Sequence, residues 1–350
     1  MKPLFIPTRE IDWNHLSTHA ELIYLEQHLE NVDWSSVTVN PNAMYLLEEH
    51  IEHHLDKIRW YWFSKNPNVF YLLNKPRLYS ILEDKVNWIP LSSNPNAIPF
   101  LETHLDKIVD FTLCMNENAI PFLEKHPEHI DWDWMSSNPS AIHLLTQNQD
   151  KIYWDRFGQN PNAIPLLLEN LDKVDWFWVS ENPNALPLLE KYPHRIEWGL
   201  ASKNPGILPL LEKHPDKIIW QNMCTNTTPE VIVFLEKHVH QLCYTCWKEL
   251  SSDPNALPLL EKYPDKIHWK QFCRNPAAIH WLEKHPEKLD ASNLSANPNA
   301  MHLLFTLDYL EMRQQNQDFR EELCAFVFHP DRMVRFSKGL DFHTYLSLFA

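Results

Sequence analysis

The chain has 350 residues, of which 44% are hydrophobic and 22% charged, with 27 prolines, 20 histidines and 15 tryptophans against four glycines. So little glycine disfavours turn-rich β architectures and phosphate-cradling loops, and a formal net charge of −15 argues against nucleic acid, whose affinity comes mainly from cations meeting phosphates. No run of about 18 apolar residues predicts a membrane span. The N-terminus, MKPLFIPTREIDW, lacks the long apolar core of a signal peptide, and six thinly spread cysteines read as reduced thiols of an intracellular protein.

Residues 1–17 read as an N-terminal cap, ahead of a tandem array over 18–306. The clearest units are NPSAIHLLTQNQDKIYWDRFGQ from Asn138, NPNAIPLLLENLDKVDWFWVSE from Asn160 and NPNALPLLEKYPHRIEWGLASK from Asn182. With the Asn of Asn-Pro as position 0, anchors fall at Thr18, Asn40, Asn66, Asn94, Asn116, Asn138, Asn160, Asn182, Asn204, Thr228, Asp253, Asn275 and Asn297. Most spacings are 22 residues, with insertions near 48–54, 74–84, 226–229 and 238–246. A fixed period of this length predicts stacked repeats with a continuous core. The expected fold is all-α, an α-solenoid of about 13 short helical pairs with terminal caps.

Within each unit, apolar residues at +3, +4, +6 and +7 (Ala163, Ile164, Leu166, Leu167) have the spacing of one helix face. Proline at +5 would break a helix already under way at +1, so this helix is expected to start near +2 or +3. Asn96, Asn162, Asn184 and Asn255 at +2 are its expected N-caps, and proline at +11 stops it. Trp at −6 and an apolar residue at −3 of the next unit mark a second helix. At such lengths neither helix is stable alone, so stacking must hold them. Residues 307–350, including FVFHPDRMVRF, leave the pattern and read as a C-terminal helical cap.

The Asn-Pro-Asn-Ala-x-Pro-Leu-Leu-Glu core resembles the leucine-rich variant repeat, which implies alternating α and 3₁₀ helices in a right-handed solenoid. Its match covers about half of each unit, and the added Trp is absent from that motif. NPNAIPLLEKHPDKIDW-like tandem units followed by FVFHPDRMVRF are similar, over nearly the whole chain, to repeat proteins encoded by large DNA viruses of protists. That resemblance implies a viral protein acting inside an infected cell, in the host cytoplasm or in the virion, and implies no chemistry.

The recurrent Trp residues (Trp132, Trp154, Trp176 and Trp198 among ten) are read as a buried packing column, and Asn138, Asn160, Asn182 and Asn204 as a hydrogen-bonded ladder. His50, His53 and His54 lie close together but lack a fixed third ligand, and no metal is expected. Cys243 and Cys246 form a CxxC, a weak zinc or redox signal without a second pair. Cys114, Cys224 and Cys273 share position −2 with serines, which suggests one small buried slot. No nucleophile motif, phosphate loop or carboxylate pair predicts catalysis or a cofactor. Tyr61, Trp62, Trp134, Arg156, Phe177 and Trp178 occupy the variable positions −5 and −4, and aromatic and Arg residues there are the material of protein-binding surfaces; the alternative is that Trp62, Trp134 and Trp178 thicken the core. The expected function is a non-enzymatic scaffold for a protein partner, with neither nucleic acid nor membrane; the alternative is a virion structural component.

Overall fold

The computed structural model describes residues 5–7 and 10–307. The chain divides into two compact units, one of Met1–Arg9 with Phe305–Ala350 and the other of Glu10–Leu304. In the first, strand β1 (Phe5–Pro7) pairs antiparallel with strand β2 (Phe305–Leu307), placing Ile6 opposite Thr306. The cap expected over 1–17 is therefore split. Phe5–Pro7 pairs with Phe305–Leu307, whereas Trp13–Ser17 is a helix of the second unit. The helical cap expected over 307–350 lies outside the described residues, Leu307 excepted.

The second unit is helical throughout its described residues, and none of its helices is long and apolar enough to cross a membrane. The repeat from Asn138 shows its plan: a 3₁₀ turn (Pro139–Ala141), an α-helix (Ile142–Gln147), a second 3₁₀ turn (Gln149–Lys151) and a second α-helix (Trp154–Phe157). The capping residue is the Asn at 0 rather than the one at +2. The Asn138 side chain accepts from the Ser140 N–H, and proline at +1 needs no donor there. Because the α-helix begins only at +4, proline at +5 falls in its first turn, where a missing N–H costs nothing. The Asn at +2 instead bonds across repeats: the amides of Asn96, Asn162 and Asn184 donate to the carbonyls of Pro67, Pro139 and Pro161. Proline at +11 opens the second 3₁₀ turn, as in Pro127–His129.

The core is built from +3, +6, +7, +14 and −3, and Ala163, Leu166, Leu167, Val174 and Val179 are all buried. Its largest fully buried side chains, Phe63, Phe157 and Phe272, stand at −3. The Trp column is only partly inside. Trp34 and Trp247 are buried, while Trp60, Trp88, Trp132, Trp154, Trp176, Trp198, Trp220 and Trp269 are half-buried. Each lies at the rim, most of them against the ring at +10: Trp176 meets Tyr192 at 5.4 Å, Trp198 meets His214 at 5.3 Å and Trp269 meets His285 at 5.1 Å. Where +10 is Asn, in the repeats of Asn138 and Asn160, a lysine at +13 covers the indole instead, Lys151 on Trp132 at 4.7 Å and Lys173 on Trp154 at 4.6 Å.

Two polar ladders join the repeats. Asn160 Nδ2 donates to the Asn138 carbonyl at 2.8 Å and the Ser136 carbonyl at 3.3 Å, and Asn182 and Asn204 repeat the pattern. At −2, Ser136, Ser180 and Ser202 accept from the N–H at −7 of the next repeat, those of Tyr153, Glu197 and Ile219. These bonds correct two anchors. Asn226, six residues after Trp220, stands at 0 in place of Thr228. That restores the spacing of 22 from Asn204 and puts the insertion between Asn226 and Asp253. His19, six after Trp13, stands at 0 in place of Thr18.

With His19 as anchor, the last repeat is bonded to the first. Ser295, at −2 of Asn297, accepts from the N–H of Asp12, at −7 of His19, at 3.0 Å. Ser292 donates to the Asp12 carboxylate at 3.0 Å, and the His19 imidazole faces the backbone of Asn297 as an Asn amide would. Within Glu10–Leu304 the first and last repeats are therefore bonded to each other, whereas the sequence predicts a terminal cap at each end.

Candidate interaction surface

The second helix of each repeat decides which side chains face solvent. An acid or amide at −7 caps it: Asp131 accepts from Asp133 and Trp134, Asp175 from Phe177, and Asn87 from Ile89. The Asn293 N–H and side-chain amide hold the Asp290 carboxyl below the usual carboxylate range in the same way. Over a helix of four to six residues, fixing −3 in the core leaves −5 and −4 away from it. Of the six residues expected at this surface, Tyr61, Trp62 and Phe177 are 45%, 41% and 49% exposed. Trp134, Arg156 and Trp178 are half-buried.

Their neighbours differ. Tyr61 and Trp62 meet edge to face at 5.4 Å, and Lys65 Nζ lies 5.4 Å from the Trp62 ring. Phe177 and Trp178 meet edge to face at 5.1 Å. Across adjacent repeats, the Arg156 guanidinium stacks 3.8 Å over Trp134 and ion-pairs with Asp133, while Phe111 reaches Trp134 at 5.6 Å. Arg156 is thereby engaged from two sides, and its charge is answered by its own chain.

Beside this stack runs a groove of about 630 Å³ lined by Asp110, Asp131, Asp133 and Asp150 with Trp132 and Tyr153. Lys151 is its one cation, and it already lies over Trp132. The groove is acidic with aromatic walls. Tyr153 and Ile219, 51% and 47% exposed, were not singled out from the sequence, although they stand at −7, where about half of the repeats place a capping acid or amide. Ile89, at −5 and 45% exposed, obeys the rule used for Tyr61 and Phe177.

Two of the three histidines of 50–54 are accounted for by packing: His54 stacks on Trp34 at 4.1 Å and His50 tilts against the same ring at 5.6 Å, while His53 is exposed. Among the described residues no three acid, Cys or His side chains converge as a metal would require. Cys114 and Cys273 serve as serine substitutes, their sulfurs accepting from the N–H groups of Asp131 and Asp290. Burial pushes the Cys114 thiol up to about 11, which removes its nucleophilic form.

Comparison with known proteins finds no matching family model, no matching curated protein and no matching solved structure.

Proposed function

We propose that the repeats form a closed α-solenoid that acts as a non-enzymatic protein-interaction scaffold, with the helices at −6 to −3 presenting the binding surface. The observation that carries this reading is the exposure of Tyr61, Trp62 and Phe177 at 41–49%, positions that the core does not need. Large aromatic side chains in such places supply most of the energy of protein association. The partner's contact segment is basic, because of the four aspartates in the adjoining groove Asp133 and Asp110 are met by Arg156 and His129, while Asp131 and Asp150 pair with no cation among the described residues, and the chain carries a net charge of −15. The repeat pattern resembles that of viral proteins, so the partner is a host or viral protein met inside the infected cell.

Affinity purification from infected cells tests this with wild type and with Tyr61, Trp62 and Phe177 each replaced by alanine. A single partner held by wild type should be lost by roughly tenfold or more in each variant, with unchanged circular dichroism. Equal recovery from a folded triple variant refutes the reading. High copy number in purified particles, without a captured partner, would make the protein a virion component instead.

A further inference from the structure

The repeat wiring gives way, at the junction between Asn226 and Asp253, to an arrangement that brings three sulfurs together. At most junctions the residue at −2 accepts from the N–H at −7 of the next repeat, the exceptions including Gly158, which has no side chain, and Thr38, whose hydroxyl donates to the Ser35 carbonyl. At the junction between Asn226 and Asp253 the second helix is extended to Tyr244–Ser252, so the residue at −7, Cys246, lies inside it. Its N–H is no longer offered to Cys224, and the Cys224 and Cys246 thiols interact instead. Asn226 Nδ2 is buried there without a hydrogen bond. In place of the ladder stands a pair of sulfurs, Cys243 Sγ and Cys246 Sγ, 3.4 Å apart.

We propose that Cys243 and Cys246 form a dithiol–disulfide exchange site, with Cys243 as the attacking thiol and Cys246 as the resolving one. Cys243 is exposed and is the N-cap of the nine-residue helix, while Cys246 is buried one turn in. That is the division of labour a CxxC needs, an accessible nucleophile at a helix N-terminus and a shielded partner behind it. The Thr245 hydroxyl, 2.9 Å from the Cys243 sulfur, and then the Cys246 N–H and thiol draw the Cys243 thiol down to about 7. Burial pushes both Cys246 and Cys224 up. From 3.4 Å the two sulfurs need to close by about 1.4 Å to bond.

On the same edge a groove of about 380 Å³ is lined by Tyr244, Trp247, Lys248, Asp265, Lys266 and His268, with Tyr244 70% exposed. Lys266 is held by Asp265 at 2.9 Å, which leaves Lys248 as the cation to meet a carboxylate of a small disulfide, and glutathione disulfide is the probe of that class. The Cys243 thiolate attacks one sulfur of the disulfide, forming a mixed disulfide and releasing one thiolate, which takes a proton from water. Cys246 then loses its proton to solvent and attacks Cys243 Sγ, expelling the second thiolate, which is protonated in turn. Two protein thiols are oxidised to one disulfide, and one glutathione disulfide is reduced to two thiols.

The test uses the reduced full-length chain, incubated with glutathione disulfide, quenched in acid, alkylated and mapped by mass spectrometry. A Cys243–Cys246 disulfide is expected while Cys114 and Cys273 remain alkylatable. C246S should accumulate a single glutathione adduct at Cys243, C243S should react roughly tenfold or more slowly, and C224S should still form the disulfide. Because Cys243 is exposed, C243S stays folded and readable even where C246S does not. Adducts spread evenly over the cysteines, a Cys224–Cys246 disulfide, or a Cys243 no more reactive than Cys273 would each overturn the proposal.

Discussion

An amide is the side chain that position 0 demands, because it must accept and donate at once. Asn160 Oδ1 takes the Asn162 N–H at 2.9 Å, while Nδ2 gives to two carbonyls of the preceding repeat. Asp253 keeps only the first half of this: it accepts from Asn255 at 2.8 Å and from the Thr227 hydroxyl, and has no proton to give. Two substitutions separate the halves. Asn160→Ala should cost about 1–3 kcal/mol, read from the thermal midpoint. Asn160→Asp should cost more at pH 7, since a carboxylate, buried as Asn160 is, would face two carbonyl oxygens. Its folded-state pKa would lie above the unfolded value of about 3.9, so the penalty is full above the folded pKa and shrinks as the pH falls through it, when the protonated acid can donate. If Asn160→Asp and Asn160→Ala keep the same gap from pH 7 to pH 4, the donor role assigned to Nδ2 is wrong.

At the scale of helices, most of the plan is legible in the letters, and the exceptions have physical causes. The period, the apolar spacing and the two prolines place both α-helices to within about a turn. The sequence reading misses the N-cap because Asn stands at both 0 and +2, and only the stacked neighbour tells a cap from a cross-repeat donor. It overstates the tryptophans because constancy of a large apolar residue looks like burial, whereas here the indole covers the rim and its +10 partner. Spacing alone also cannot reveal Gly206 as a close approach: it stands at +2, where the Pro183 carbonyl fills the space a Cβ would need. The surface positions at −5 and −4 are legible as escapes from the pattern, but not the Arg156–Trp134–Asp133 stack, which joins two repeats. Burial ranks the side chains differently from conservation of type. Phe157→Ala, at 0% exposure, should cost about 3–5 kcal/mol. Trp154→Ala, half-buried beside Lys173, should cost less although its ring is larger. Urea midpoints of the two variants test the order, and a costlier Trp154→Ala would restore the tryptophans as the spine.

For the unit as a whole, closure changes how stability is distributed. In an open array the end repeats lack one neighbour and fray first, because each repeat is held by nearest-neighbour contacts. Here Asp12 and Ser295 supply the missing rung, so amides near Leu16 and Leu294 should exchange with deuterium as slowly as those near Phe157 in the interior. The weakest part of that junction is His19, whose Nε2 is buried without a well-formed hydrogen bond. Desolvation by burial holds its pKa below 6.5, so the folded state resists a proton that the unfolded chain accepts. Stability is then lost as the pH falls below about 6.5. His19→Asn installs the amide used by nearly every other repeat. It should gain about 1 kcal/mol at neutral pH, flatten the decline between pH 7 and pH 5, and slow exchange at Leu16 and Leu294 while leaving Phe157 unchanged. Ser295→Ala should do the reverse at the same two places. Rapid exchange at both ends of the wild-type array, indifferent to either substitution, would mean that its first and last repeats do not meet.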